Sequence, residues 1–200
     1  MNTTLSARSR RLVRWAALPV AVLASGVIVS TASYAAFTAS TDNSGNAWSA
    51  GALTLTDDDA GSAMFTVGDL EPGSTGENCI AVTSGGSLAS DIRLYAENAT
   101  QTNDLDQYLD LEITRGTGGG YGSCDGFVPN AGEAESAVFS GSLASLTSTA
   151  VDHASGVGAW ASEGDGDEQV FRVSYTLSDA TPNTAQGGSA GVDLVWEATS

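Results

Sequence analysis

The chain has 200 residues, with 24 acidic residues against seven arginines, and it contains no lysine. All acidic residues follow residue 35, so removal of residues 1–35 would leave three arginines and a net charge of −21. Such a surface repels phosphate backbones and anionic lipid, which excludes nucleic-acid binding and docking on a membrane surface. It favours solubility and the binding of divalent cations. A lysine-free, Ala/Gly-rich composition is equally typical of a GC-rich coding sequence.

The first 35 residues have the order of a secretory signal peptide. Four arginines between residues 8 and 14 form a basic region, and an apolar run over residues 15–29 follows. Ser33 and Ala35 place small residues at positions −3 and −1 of a cleavage site before Ala36. The alternative is a membrane anchor, but the run is short for a span and contains proline and glycine. We therefore expect membrane contact only through the signal peptide, before cleavage.

Residues 36–47 combine a short β-prone piece with a polar linker. The β-prone piece consists of Ala36, Phe37, Thr38, Ala39, Ser40 and Thr41. The polar residues 42–46 follow, and they reach at most about 17 Å when extended. The segment is either an ordinary disordered terminus or a strand for the sheet of another molecule.

Residues 48–200 are predicted to form a β-sandwich domain, because turn-rich segments separate short strand-like runs. The runs in the first half are residues 52–56, 63–67, 79–83 and 90–97. An acidic turn at residues 57–61 separates the first two runs. Pro72 and Gly73 mark the next turn, because they preset the dihedral angles that a turn requires.

The middle of the chain is less regular. Residues 103–109 are predicted to form a short helical turn, with Thr102 or Asn103 as its cap. A strand follows in which Leu109, Leu111 and Ile113 share one face.

The last third is predicted to hold a short helix, a loop and two strands, at residues 140–148, 151–166, 169–178 and 191–199. About eight strands, mostly antiparallel and with short helices in the connections, predict an all-β, jelly-roll-like sandwich.

The two cysteines, Cys79 and Cys124, both lie in the exported part. An even pair in an oxidising compartment most simply forms one disulfide. It would close a loop of about 45 residues and stabilise the fold by roughly 3–4 kcal/mol. Two free thiols or a metal pair are the alternatives, although a metal site would require more sulfur or imidazole ligands.

No catalytic residue is predicted. His153 is the single histidine, so the chain lacks the paired histidines of an H-E-x-x-H zinc protease. Asp152 lies beside it, but no serine occupies the G-x-S-x-G turn of a serine hydrolase. We therefore predict that the protein is not an enzyme, and that His153 lies in a solvent-exposed loop.

Two acidic clusters, at residues 57–59 and 163–168, leave calcium open as a cofactor. The second cluster alternates acids with glycine, but Glu168 and Ser174 stand where an EF-hand loop requires glycine and glutamate. We expect solvated acidic turns, with no other cofactor.

Several motifs occur in the order and spacing of one family. They are Ala36-Phe37 directly after cleavage, W-S-A-G-A-L-T-L at residues 48–55, D-L-E-P-G-S at residues 69–74, G-S-L-A at residues 86–89 and the ending G-V-D-L-V-W-E-A-T-S. Together they resemble the TasA/camelysin family of secreted proteins. The resemblance covers roughly residues 34–97 and 168–200, and the middle of the chain does not align.

The resemblance implies a jelly-roll sandwich, a dedicated signal peptidase and assembly into extracellular fibres of a biofilm matrix. In such fibres the N-terminal segment of one subunit adds as a strand to the next, which assigns residues 36–41 as the donor strand and Phe37 as its anchor. The expected partners are further copies of the chain, with other matrix proteins also open. Some family members carry a metallo-endopeptidase label, so such an enzyme is one alternative and a monomeric cell-surface adhesion module is another.

Overall fold

The computed structural model describes residues 52–200, which form a two-layer β-sandwich. The larger sheet contains β1 (Leu53–Asp57), β2 (Thr75–Gly86), β4 (Leu109–Thr117), β5 (Val128–Pro129), β6 (Ala137–Ser142) and β8 (Asp167–Leu177). The smaller sheet contains β3 (Ser90–Thr102), β7 (Val157–Ser162) and β9 (Ser189–Thr199). The connections contain α1 (Glu133–Ser136), α2 (Leu143–Thr149) and 3-10 turns at Leu105–Gln107 and Asn183–Ala185. The predicted signal peptide and residues 36–47 lie outside the described residues.

All strand pairs in both sheets are antiparallel. The larger sheet has the order β1-β2-β8-β4, and β5 and β6 pair with successive parts of β4. The smaller sheet has the order β7-β3-β9. The predicted fold class, an antiparallel sandwich with short helices in its connections, is confirmed.

The core lies between the sheets, where alternate residues of each strand point inward. Phe171, Val173 and Tyr175 of β8 are buried there, as the period-2 pattern of this strand predicts. Trp196 of β9 pairs with Leu94 of β3 and contacts Phe171, with ring centroids 5.2 Å apart. Burial of a side chain such as Phe171 contributes about 1.5–3 kcal/mol, so these alternating residues hold the two layers together.

A smaller apolar cluster covers the outer face of the larger sheet. Cys79 and Ala81 of β2 and Val170 of β8 pack there against Cys124 and Phe127. The predicted Cys79–Cys124 disulfide is present, with the two Cα atoms 5.2 Å apart. It fastens the connection between β4 and β5 onto the sheet, and it indicates an oxidising environment.

Arg115 of β4 is buried, and its guanidinium holds the β6 and β7 side of the sandwich together. It donates hydrogen bonds to the carbonyl oxygens of Glu135, Gly158 and Ala159 at 3.0–3.2 Å. Burial lowers the pKa of this guanidinium, and the charge of Glu135 acts in the opposite direction. A buried guanidinium that donates to several carbonyls fixes the connections around it, because these charge-assisted hydrogen bonds join α1 and β7 to β4.

Two predictions about strands are wrong. Residues 63–67 form no strand, and they run as irregular chain in the connection between β1 and β2. Residues 151–166 were expected to be a loop but contain β7, in which Trp160 pairs with Ile92 of β3 and is buried. One large apolar residue between glycines was too weak a pattern to reveal that strand.

The predicted short helices are shifted or differently capped. Residues 140–142 belong to β6, and α2 begins only after Ser142, whose hydroxyl oxygen accepts a hydrogen bond from the Ser145 N–H at 3.2 Å. The 3-10 turn follows Asp104, which has a φ of 56° and makes no side-chain cap. Neither Thr102 nor Asn103 caps it, so those cap assignments are wrong. Within residues 52–200, none of the helices is long and apolar enough to cross a membrane.

Candidate functional site

The smaller sheet has two edge strands among the described residues, β7 and β9, and the edge of β9 adjoins a groove. β9 pairs with β3 along one side, and no strand of the described residues pairs with its other side. The backbone N–H and C=O groups along such an edge can bind another extended chain. β9 lies near β1 of the larger sheet on this side of the sandwich, but the two strands do not pair. No strand hydrogen bonds therefore join the two sheets beside β9.

A groove of about 520 Å³ lies at this opening. Part of its lining comes from the inner face of the larger sheet: Ile80, Leu109, Leu111, Val173 and Tyr175. Another part comes from β9, namely Ala190, Gly191, Val192, Asp193, Leu194 and Trp196. The larger sheet thus presents core residues at a position where the smaller sheet has no further strand to cover them.

The third part of the lining comes from the connection between β1 and β2, residues 58–74, which we call the strap. Its lining residues are Asp59, Gly61, Ser62, Ala63, Met64, Phe65, Val67 and Leu70. The ring of Phe65 meets the ring of Tyr175 edge to face, with centroids 5.2 Å apart. The apolar run that suggested a strand at residues 63–67 therefore packs as irregular chain against the core.

The strap is held by side chains from outside itself. The Asn78 side-chain amide donates to the Met64 carbonyl at 2.7 Å, and the Tyr121 hydroxyl donates to the Ala63 carbonyl at 2.9 Å. At the start of the strap, the Asp58 carboxylate accepts from the Ala81 N–H at 2.9 Å and from the Tyr121 N–H at 2.7 Å. These contacts replace the ladder hydrogen bonds that a strand would have made.

The groove is mostly apolar, and its two charged lining residues are Asp59 and Asp193. Just outside the lining, partial desolvation raises the pKa of the Asp57 carboxyl, and a side-chain hydrogen bond with Asp59 and the Asp59 charge raise it further. The indole Nε1 of Trp196 is buried and has no hydrogen-bond partner among the described residues. The groove thus disfavours an anionic occupant and leaves an indole donor without an acceptor.

His153 takes part in a structural contact. Its Nε2 lies 3.0 Å from the Asp91 carbonyl oxygen and 3.2 Å from Thr199 Oγ1. The Asp152 carboxylate accepts from the hydroxyl of Ser155 at 2.6 Å, and the hydrogen bonds from Ser155 lower the pKa of that carboxyl. His153 lies in a turn, as expected, but the expected solvent exposure is wrong, because only 18% of its side chain is exposed. The neighbouring Asp152 bonds to Ser155 and does not orient the imidazole.

The acidic clusters form turns that contact backbone. In the second cluster, Asp165 and Gly166 donate their N–H groups to the carbonyls of Gly86 and Ser84. Among residues 52–200, no three His, Cys, Asp or Glu side chains are grouped closely enough to hold a metal ion.

The predicted donor-strand residues, Ala36, Phe37, Thr38, Ala39, Ser40 and Thr41, lie outside the described residues. Cys79 and Cys124 lie where they were predicted to meet. The groove itself was missed, because its lining comes from strands far apart in sequence. The apolar run 63–67 was the one sequence signal, but it was interpreted as a strand and not as part of a groove wall.

The fold and the groove define a β-sandwich in which an unpaired strand edge lies beside an apolar groove. Comparison with known proteins adds no family: the sequence matches no family model, and it matches no curated protein.

Proposed function

We propose that this protein is a secreted structural subunit of extracellular biofilm-matrix fibres, in which residues 36–41 of one copy add as a strand beside β9 of the next. The observation that carries the proposal is the apolar groove along the unpaired edge of β9. An extended peptide that adds to a sheet edge gains main-chain hydrogen bonds, and its alternate side chains enter pockets. The groove offers both features in one place.

Charge and shape both favour residues 36–41 as the occupant of the groove. A mature chain of net charge −21 repels other copies, so a contact between copies is least costly through uncharged segments. Residues 36–41 carry no charged side chain, and their one charge is the positive α-amino group that cleavage gives Ala36. Phe37, Ala39 and Thr41 share one face by period 2. Phe37 supplies an aromatic ring for a groove that already contains Phe65, Tyr175 and Trp196.

The linker is long enough to permit addition to a neighbour. Residues 42–52 separate the donor strand from β1 and reach at most about 37 Å when extended, which is long enough to bridge to a second copy. Each copy would then offer one donor and one acceptor at different places. Such head-to-tail addition does not close, and it produces filaments.

Deletion of residues 36–41 tests the proposal. The exported chain beginning at Ala36 should form filaments in electron micrographs, and the deletion variant should remain a folded monomer by size-exclusion chromatography and circular dichroism. A matched control replaces residues 42–46 with a Gly/Ser linker of equal length, and it should still form filaments. Filaments from the deletion variant would refute donor-strand addition. A wild-type chain that stays monomeric at all concentrations would favour an adhesion module.

A further inference from the structure

The Cys79–Cys124 disulfide is connected to the groove through one short chain of contacts. The disulfide fixes the connection between β4 and β5, residues 118–127, which we call the disulfide loop. Tyr121 of this loop forms a backbone bridge with Cys79, and its hydroxyl donates to the Ala63 carbonyl of the strap. One residue therefore contacts both the strand that carries the disulfide and the wall of the groove.

Asn78 makes a second connection beside the first. Its Oδ1 accepts from the Gly122 N–H of the disulfide loop at 3.0 Å, and its Nδ2 donates to the Met64 carbonyl of the strap at 2.7 Å. The carbonyls of Ala63 and Met64, two successive strap residues, thus both receive their hydrogen bonds from residues adjoining the disulfide. These two strap residues line the groove.

We propose that the disulfide loop braces the strap, and that the Cys79–Cys124 bond preorganises the groove through Tyr121 and Asn78. Without the bond, the disulfide loop is attached to β2 by noncovalent contacts alone, and the Tyr121 hydroxyl and the Asn78 amide are held less firmly against the strap. The strap would then open more often, because it has no ladder hydrogen bonds of its own. A groove wall held in its binding conformation reduces the ordering cost of an incoming strand. The consequence for donor insertion rests on the proposed function, but the bracing of the strap does not.

Limited proteolysis of the exported chain in its monomeric fraction tests the brace. Chymotrypsin cleaves after Phe65 only when the strap opens, because the Phe65 ring packs against Tyr175. In the double variant Cys79→Ser/Cys124→Ser, this cleavage should be at least about fivefold faster, while the amides of β3 and β9 keep their wild-type rates of hydrogen–deuterium exchange. Tyr121→Phe, which retains the ring and the disulfide, should accelerate the same cleavage about fivefold, the effect expected from one lost hydrogen bond. Tyr108→Phe is the matched control and should change nothing in the strap.

The two variants keep the test decisive. If the amides of β3 and β9 also lose protection in the double variant, that variant has unfolded, and Tyr121→Phe alone decides. An unchanged rate of cleavage after Phe65 in Tyr121→Phe would overturn the brace, whether or not filaments form. Faster cleavage of the strap, together with filaments from the variant that lacks residues 36–41, would retain the brace and refute donor-strand addition.

Discussion

Phe65 of the strap and Tyr175 of β8 lie edge to face, with their ring centroids 5.2 Å apart and their planes at 88°. This contact joins an irregular connection to the inner face of the larger sheet. It explains how residues 63–67 remain packed without pairing as a strand. It also places two aromatic rings in the groove, where an additional aromatic side chain could join them.

The first prediction concerns this aromatic contact. Phe65→Ala should lower the free energy of unfolding by about 1–3 kcal/mol, because it removes partly buried apolar surface and the edge-to-face interaction. Urea denaturation of the monomer measures the change. Val67→Ala is the control, since Val67 lies on the same strap with 51% of its surface exposed, and its effect should stay within about 0.5 kcal/mol. Equal effects of the two substitutions would show that the strap does not pack as described.

The second prediction concerns the groove beside β9. Val192→Arg places a long charged side chain in the groove lining and should reduce the rate of filament growth at least about tenfold, a factor equal to 1.4 kcal/mol. Val128→Arg adds the same charge on β5, where Val128 is 60% exposed, and it should not slow growth. Light scattering follows growth, and thermal unfolding verifies that both variants are folded. Equal rates for Val192→Arg and Val128→Arg would place the contact between subunits elsewhere.

The third prediction concerns salt. Copies of the chain without residues 1–35 would each carry a charge of −21 and repel one another, and screening shortens the range of that repulsion from about 30 Å at 0.01 M to about 8 Å at 0.15 M salt. Filament growth should therefore accelerate as NaCl is raised. CaCl2 and MgCl2, compared at equal ionic strength, should accelerate filament growth to the same extent as each other. A response to calcium alone would reveal a specific calcium site, and slower growth in salt would show that ion pairs join the subunits.

The fourth prediction concerns Asp57. Its pKa is raised in the folded state above the ordinary value of 3.8, so the folded chain binds this proton more tightly than the unfolded chain does. Stability is therefore lost as the pH rises from about 3.8 through the folded pKa, and the penalty is complete above it. Asp57→Asn should raise the melting temperature at pH 7, and the gain should shrink as the pH approaches 3.8.

Asp152 provides a control of opposite sign for that measurement. Hydrogen bonds from Ser155 lower its pKa below 3.8, so its ionised form contributes stability above pH 3.8 that is lost as the pH falls through the folded pKa. Asp152→Asn should lower the melting temperature at pH 7 and have little effect at low pH. Differential scanning fluorimetry of both variants from pH 3 to pH 8 measures the curves, and shifts of equal sign would contradict this assignment.

The fold class could be predicted because local patterns determine most strands. In β8 the alternation of Phe171, Val173 and Tyr175 directly predicted a strand with one buried face, and these residues are buried in the core. The Cys79–Cys124 pair was predictable from cysteine number and compartment. The first inference uses a local sequence pattern, and the second uses the number of a residue type that is scarce in this chain.

The groove could not be predicted because it depends on which strands are neighbours. Tyr175, Val192 and Phe65 meet there, and the sequence does not reveal that β9 has an unpaired edge. The same limit explains the errors. Residues 63–67 have the composition of a strand but pair with no strand, whereas β7 has a weak sequence pattern but pairs with β3.

The central claim is that Phe37 of one copy occupies the groove of another. The most direct measurement replaces Phe37 with the photoreactive analogue p-benzoylphenylalanine and mixes chains labelled with light and heavy nitrogen. Filaments are then irradiated, and mass spectrometry identifies the cross-linked residues. The expected result is cross-links between differently labelled copies that join position 37 to groove residues such as Tyr175, Val192 or Trp196. Cross-links in intact filaments that stay within one copy, or that reach a remote surface such as Val128, would contradict the claim.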